Sequence, residues 1–315
     1  MRSYLQTLLA ASLFILTSIE VYAGGTSTYD FLRNDVSARA AALGGSFVTM
    51  TDDPNIIFYN PAGLSSLGSR RVSFGYFKHL LDINSGYASF ASEVPGFGFV
   101  GAGVEYINYG EFKRTGEEGQ DLGTFGAGDL VLIAGYGGEM GSGLHYGANV
   151  KYIYSSIAEA HSSGVALDFG LQYIAVPNRL LIGASLLNLG TQLNPYLSTK
   201  ENLPLDFKVG VSIYPEHLPL VLMINLHKLN EQYDSFADRL RTFSVGAEFS
   251  ASTNFTLRIG YNNERRRDLK IGTGSGLAGL SAGGGISTEM YTFDYAFTSY
   301  GTIGSLHRVS VAITF

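Results

Sequence analysis

The stretch "HRVSVAITF", residues 307–315, decides how the rest of the chain is read. Val309, Val311, Ile313 and Phe315 are apolar, and Arg308, Ser310, Ala312 and Thr314 fall between them. Strict alternation describes a β-strand with one oily face and one polar face. The pattern recurs upstream. "GLHYGANVKYIYS" places Leu144, Tyr146, Ala148, Val150, Tyr152 and Tyr154 on one face, with His145, Asn149, Lys151 and Ser155 on the other. "NFTLRIGYNN" sets Phe255, Leu257, Ile259 and Tyr261 against Thr256, Arg258 and Asn262. "EMYTFDYAFT" sets Tyr291, Phe293, Tyr295 and Phe297 against Thr292, Asp294 and Thr298. Recurring segments of about ten alternating residues are the signature of an outer-membrane barrel.

Reading onward from Arg70 gives about fourteen strands, an even number as such barrels require. They start near Arg70, Asn84, Phe97, Gly126, Gly143, His161, Arg179, Leu205, Leu218, Leu240, Asn254, Ser275, Glu289 and Gly304. Even-numbered connections such as "VPG", "MGSG", "VPNR", "PEH", "AST" and "STE" are tight. The third (108–125), seventh (191–204), ninth (229–239) and eleventh (264–274) are long. Short periplasmic turns and long outer loops are the expected asymmetry. A soluble β-sandwich also alternates, but its outward face would be richly charged. Here charged residues make up only 15% of the chain, which holds 40 glycines, 20 tyrosines and 20 phenylalanines. The fold class is therefore all-β: a transmembrane antiparallel β-barrel of about fourteen strands with a short N-terminal plug. The last strand is expected to close the barrel, with Phe315 at the periplasmic rim as an assembly signal.

Three segments follow. Residues 1–23 read as a signal peptide: Arg2, an apolar run from Leu8 to Leu16, and the small-x-small "VYA" before Gly24. Residues 24–69 form the hatch, and 70–315 the barrel. No later run approaches the length of a membrane helix; "LPLVLMINL" (218–226) is too short. With no cysteine, disulfides and thiolate metal sites are excluded. The net charge of −6 carries no nucleic-acid footprint. The expected location is the bacterial outer membrane, with its lipids as partners.

Within the hatch, "DVSARAAALGG" reads as a short helix capped by Ser37 and stopped by Gly44-Gly45. Asp52, Asp53, Asn60, Pro61, Ala62 and Gly63 form a turn-rich constellation. Such residues either bind a ligand or brace the plug, and turn chemistry favours bracing. The inward charges Glu105, Asp129, Lys151, Asp168, Lys208, Glu248, Arg258, Asp294 and Arg308 either line a path or neutralise one another. Their mixed signs favour pairing. "GTGSG" (272–276) lacks the following Lys and helix of a phosphate loop. The histidines have no ligand spacing, and no nucleophile motif is present. No catalytic residue, metal or cofactor is expected.

The hatch sequence "SARAAALGGSFVTMTDDPNIIFYNPAGLSSL" resembles the N-terminal signature of the FadL-like superfamily of outer-membrane barrels. "YDFLRNDVSARAAALGG", "YINYGEF" (106–112) and "LLNLGTQL" (186–193) are similar to the PorV/PorQ family of that superfamily. This resemblance implies a non-enzymatic component of the type IX protein secretion system, with secretion components and cargo proteins as partners. The outer loops, carrying Tyr109, Phe112, Tyr196, Tyr233, Phe236 and Arg265 to Arg267, would then be the docking surface. The alternative is a FadL-like transporter of hydrophobic small molecules, which needs an apolar cavity and an opening in the wall.

Overall fold

A computed structural model describes residues 27–78, 83–270 and 276–315. The expected signal peptide and residues 272–275 of the glycine loop lie outside the described residues. Fourteen antiparallel strands form one closed barrel in chain order. The first seven are β1 (Arg71–Lys78), β2 (Asn84–Val94), β3 (Gly98–Thr115), β4 (Asp121–Met140), β5 (Leu144–Ile157), β6 (Ala160–Val176) and β7 (Leu180–Asn194). The second seven are β8 (Asp206–Ile213), β9 (Leu220–Leu226), β10 (Phe243–Ser250), β11 (Phe255–Asn262), β12 (Leu280–Ser287), β13 (Tyr291–Ser299) and β14 (Ser305–Thr314). Closure is made by the stretch that opened the reading: Arg71 of β1 pairs with Thr314 of β14, and the Phe315 amide donates to the Arg70 carbonyl at 3.0 Å.

Alternation sorts the two faces as expected. Arg308 is buried while Val309 is 52% exposed, and Arg258 is buried while Ile259 is 59% exposed. The outward leucines, tyrosines and phenylalanines can meet hydrocarbon, and closure leaves no strand edge to be satisfied there.

The wall is uneven in height. β3 and β4 pair as far as Thr115 opposite Asp121, well beyond the last β2 partner of β3, Asn108. At about 3.3 Å per residue this hairpin stands roughly 20 Å above its neighbour. The long loop expected over 108–125 is therefore mostly strand, turning only around Gly116–Gln120. The expectation failed because alternation in "EFKRT" is masked by charges, and these hydrate freely above the membrane. The loop expected over 264–274 begins as a helix, Asn263–Asp268, capped by the Asn262 side chain. The ninth connection carries a turn of helix, Phe236–Arg239.

Residues 27–69 enter the barrel from its outer end. The Thr28 amide donates to the Asn202 carbonyl in the loop after β7, and the Tyr29 hydroxyl lies 2.5 Å from Ser162. The helix Ala38–Ala42 follows, with Ser37 Oγ accepting from the Ala40 amide and Gly44 and Gly45 at positive φ after its end. It lies against β11 to β14, and the 3₁₀ turns Pro54–Phe58 and Pro61–Ser66 lie against β1–β3 and β3–β6. Val48 and Thr49 reach β7 and β8 at Gly183 and Ser212. The segment leaves at the periplasmic rim into β1.

Candidate functional site

Glycine on the lumen face lets the plug sit directly on the wall. A Cβ on Gly246 would lie 2.8 Å from the Leu43 carbonyl oxygen, one on Gly283 2.6 Å from the Ala42 Cβ, and one on Gly137 2.9 Å from the Leu64 Cβ. Gly147 faces the Pro61 carbonyl and Gly170 the Asn60 side chain in the same way. The buried apolar cluster runs through this contact, joining Leu43, Phe47, Ile56, Ile57 and Leu64 of the plug to Phe77, Tyr87, Ile107 and Ile153 of the wall.

The hatch constellation is consumed by bracing contacts. Asp53 Oδ1 accepts from the Asn55 amide at 2.9 Å, and Asn60 Oδ1 accepts from the Ala62 amide at 3.2 Å. The Asn60 amide donates to the carbonyls of Val48 and Leu171 at 2.8 and 3.1 Å, tying the plug to β6. Pro61 and Ala62 press on Gly147, and a Cβ on Gly63 would meet Ile56. Asp52 sits exposed at the periplasmic rim with Arg71 at 2.6 Å.

Most inward charges are paired. Arg258 reaches Glu248 at 2.6 Å and Asp294 at 2.5 Å. Arg39 of the plug reaches the same Glu248 at 2.7 Å and Asp53 at 3.2 Å, so one network joins wall and plug. Lys151 pairs with Asp168 at 3.0 Å, beside a bulge where β6 and β7 shift register. Lys208 pairs with Asp206 at 3.3 Å. Three of the nine have no ion-pair partner among the described residues. Arg308 lies over the Phe77 ring at 4.9 Å and donates to Thr298 at 3.3 Å. Glu105 is fully buried with one carboxylate oxygen unbonded. Asp129 is held only by hydroxyls: Tyr109 donates to it at 2.6 Å, and so does Ser155.

Above the plug the lumen opens into two cavities. The first, about 250 Å³, lies between the plug, β8–β11 and the helix Asn263–Asp268 and is polar: Arg33, Asp35, Asp206, Lys208, His227, Lys228, Glu264 and Arg265 line it. Arg265 turns into the barrel to Asp35 at 2.7 Å and stacks over Tyr300, so it is not part of an outward basic surface. Glu264 lies 2.9 Å from His227 and 2.6 Å from Lys228. Burial disfavours its charge, yet hydrogen bonds and positive charge from those two residues win and hold its carboxyl down at about 2.

The second cavity, about 380 Å³, is aromatic. Tyr29 and Phe31 of the plug, Tyr109, Phe112, Phe125 and Ala127 of the tall hairpin, Ser155 and Ile157 of β5 and Tyr196 line it, with Asp30 and Asp129. Tyr109 and Gly110 form a bulge opposite Ala127, where the β3–β4 register shifts. Bulges of this kind re-aim side chains near functional sites. Tyr109, Phe112 and Tyr196, expected as outward docking residues, instead line this cavity, and Tyr233 is half-buried. Phe236 does project outward, as does Leu197, at 73% and 85% exposure. Phe125, Ala127, Ser155 and Ile157 were missed in the sequence. The available signal was large apolar residues on the lumen face at the outer strand ends, where alternation predicts polar ones.

No protein-family model matches the chain, and no curated protein matches it. Solved structures do. The toluene transporter TodX of Pseudomonas putida is similar at a TM-score of 0.59 and 15% identity, covering 91% of this chain and 99% of its own. The toluene transporter TbuX of Ralstonia pickettii gives 0.58 and 15%, covering 88% and 96%. A FadL homologue of Pseudomonas aeruginosa gives 0.55 and 8%, covering 89% and 98%. The chain thus has the fold of FadL-like bacterial outer-membrane barrels.

Proposed function

We propose that the protein is an outer-membrane transporter that takes up small hydrophobic molecules, with the aromatic cavity as its entry site. The observation that carries this reading is the cavity itself: about 380 Å³ of space walled by tyrosine and phenylalanine, at the outer mouth and beside a bulge in the wall. Apolar ligand sites are concave, largely preformed and lined this way. The fold shared with TodX and TbuX, whose names describe toluene transport, supports it. Uptake of radiolabelled toluene into cells carrying the protein in their outer membrane tests the reading. Ala127→Trp fills the cavity and is expected to abolish the gain over cells lacking the protein; equal uptake by all three overturns the assignment.

A second reading, a component of the type IX secretion system, is favoured by the sealed lumen. A plug bearing on the wall all round, fixed by paired charges, suits a barrel that displays surfaces rather than conducts. Leu197 and Phe236 would then offer the contact. Under this reading, tagged protein from native outer membranes retains secretion partners, and Leu197→Ser with Phe236→Ser releases them.

A further inference from the structure

The two cavities at the outer mouth differ in charge. The polar cavity balances acids against Arg33, Lys208, His227, Lys228 and Arg265. The aromatic cavity contains no Lys, Arg or His among its lining residues, but it has two carboxylates, Asp30 and Asp129. Asp30 is largely exposed and lies 4.0 Å from Arg33. Asp129 is buried, accepts hydrogen bonds from two hydroxyls, and has no cation within ion-pair distance among the described residues.

We infer that the aromatic cavity is a site for hydrophobic organic cations, amines or quaternary ammonium groups carried on an apolar body. A buried carboxylate is costly without an opposite charge, and a ligand ammonium supplies it. Phenol and phenyl rings line the same cavity, and the attraction of a cation to an aromatic face is strongest where water is excluded. The stacked pair Phe112 and Phe125, with ring centroids 5.4 Å apart, forms one wall. Phe125 already attracts a cation: the Arg114 guanidinium lies 5.7 Å from its ring centroid, held there by Glu159 at 2.7 Å. The relay from Tyr196 through Ser155 and from Tyr109 fixes the carboxylate in place. Toluene-sized rings fit the same walls, but a cation also offsets the charge of Asp129. This inference rests on the transporter reading and names the charge that its site selects.

Phenyltrimethylammonium and tert-butylbenzene test it, since they share size and shape and differ by one charge. Binding of each to the purified, detergent-solubilised protein is measured calorimetrically, with the heat-dependent gel shift of the barrel as a folding control. The cation is expected to bind at least tenfold more tightly. Asp129→Asn, a near-isosteric change, is expected to remove that preference by weakening the cation at least tenfold more than the neutral compound. Phe125→Leu is expected to weaken the cation more than the neutral compound. Equal affinities in the native protein, or a preference that survives Asp129→Asn, overturn the cation site while leaving the hydrophobic transporter reading intact. Failure of both compounds to bind overturns the two together. Cation binding without uptake of either compound sustains the site and removes the transporter.

Discussion

The periplasmic and outer halves of the lumen are built on opposite rules. In the lower half, glycines let plug backbone rest on wall backbone, and hydrogen bonds and ion pairs tie the two together. In the upper half the strands carry bulky aromatics inward, and side chains hold the plug at a distance, so space remains. Tight packing closes the lower half; open packing leaves two cavities in the upper half. The same tyrosine and phenylalanine content covers the wall outside and lines a cavity inside, decided only by which face each residue takes.

The contrast can be broken most forcefully at Arg39. It ties the plug to Glu248 of β10 and to Asp53 of the hatch. Arg39→Ala leaves Asp53 without an ion-pair partner in a buried setting and Glu248 with Arg258 alone, at a cost of about 3–5 kcal/mol. The plug is expected to loosen, seen as a higher single-channel conductance in planar bilayers than that of the native barrel. An unchanged conductance would show that packing alone holds the plug.

Gly147→Ala is the next largest. Its new methyl would meet the Pro61 carbonyl, so the turn must move. Overpacking of this kind costs about 1–3 kcal/mol. A lower temperature for the gel-shift transition is expected, whereas Gly96→Ala, at a turn with open space around it, would act only through its backbone strain and spare the plug. In the upper half, Ala127→Trp should reverse the pattern: the barrel keeps its transition temperature while affinity for a small aromatic falls at least tenfold, about 1.4 kcal/mol. A stability loss equal to that of Gly147→Ala would mean that the two halves are packed alike.

The smallest effect concerns pH. Glu264 titrates at about 2 in the folded protein, against an ordinary value of 4.5. Its pairing with His227 and Lys228 therefore contributes fully above pH 4.5 and is lost as the pH falls from 4.5 to 2. Spin labels at positions 236 and 267 are expected to give a narrow distance distribution at pH 6 that broadens at pH 3. Glu264→Gln should broaden it at both. An unchanged distribution at pH 3 would assign the order of this rim to other contacts.

Alternation together with the tight turns gave the strand number and approximate positions, because a membrane wall must present one apolar face and period two records that directly. The reading put the start of β4 near Gly126 and that of β12 near Ser275, where the strands begin at Asp121 and Leu280. The cap at Ser37, the stop at Gly44-Gly45 and the turns at Asp53 and Asn60 were equally legible, since each depends on neighbours one to four residues away. Other features depended on partners more than a hundred residues distant. That the hatch begins at the outer end, that Arg39 shares Glu248 with Arg258, and that Arg265 folds inward to Asp35 all follow from where the closed barrel brings remote residues together. Glycine content was visible from the start, but its purpose was not: a missing side chain has meaning only once the backbone that fills its place is known. The tall β3–β4 hairpin escaped because residues above the lipid need no apolar face. What the local pattern of residues determined was the wall; what only tertiary structure decided was the lumen, because its contacts join segments that no sequence period relates.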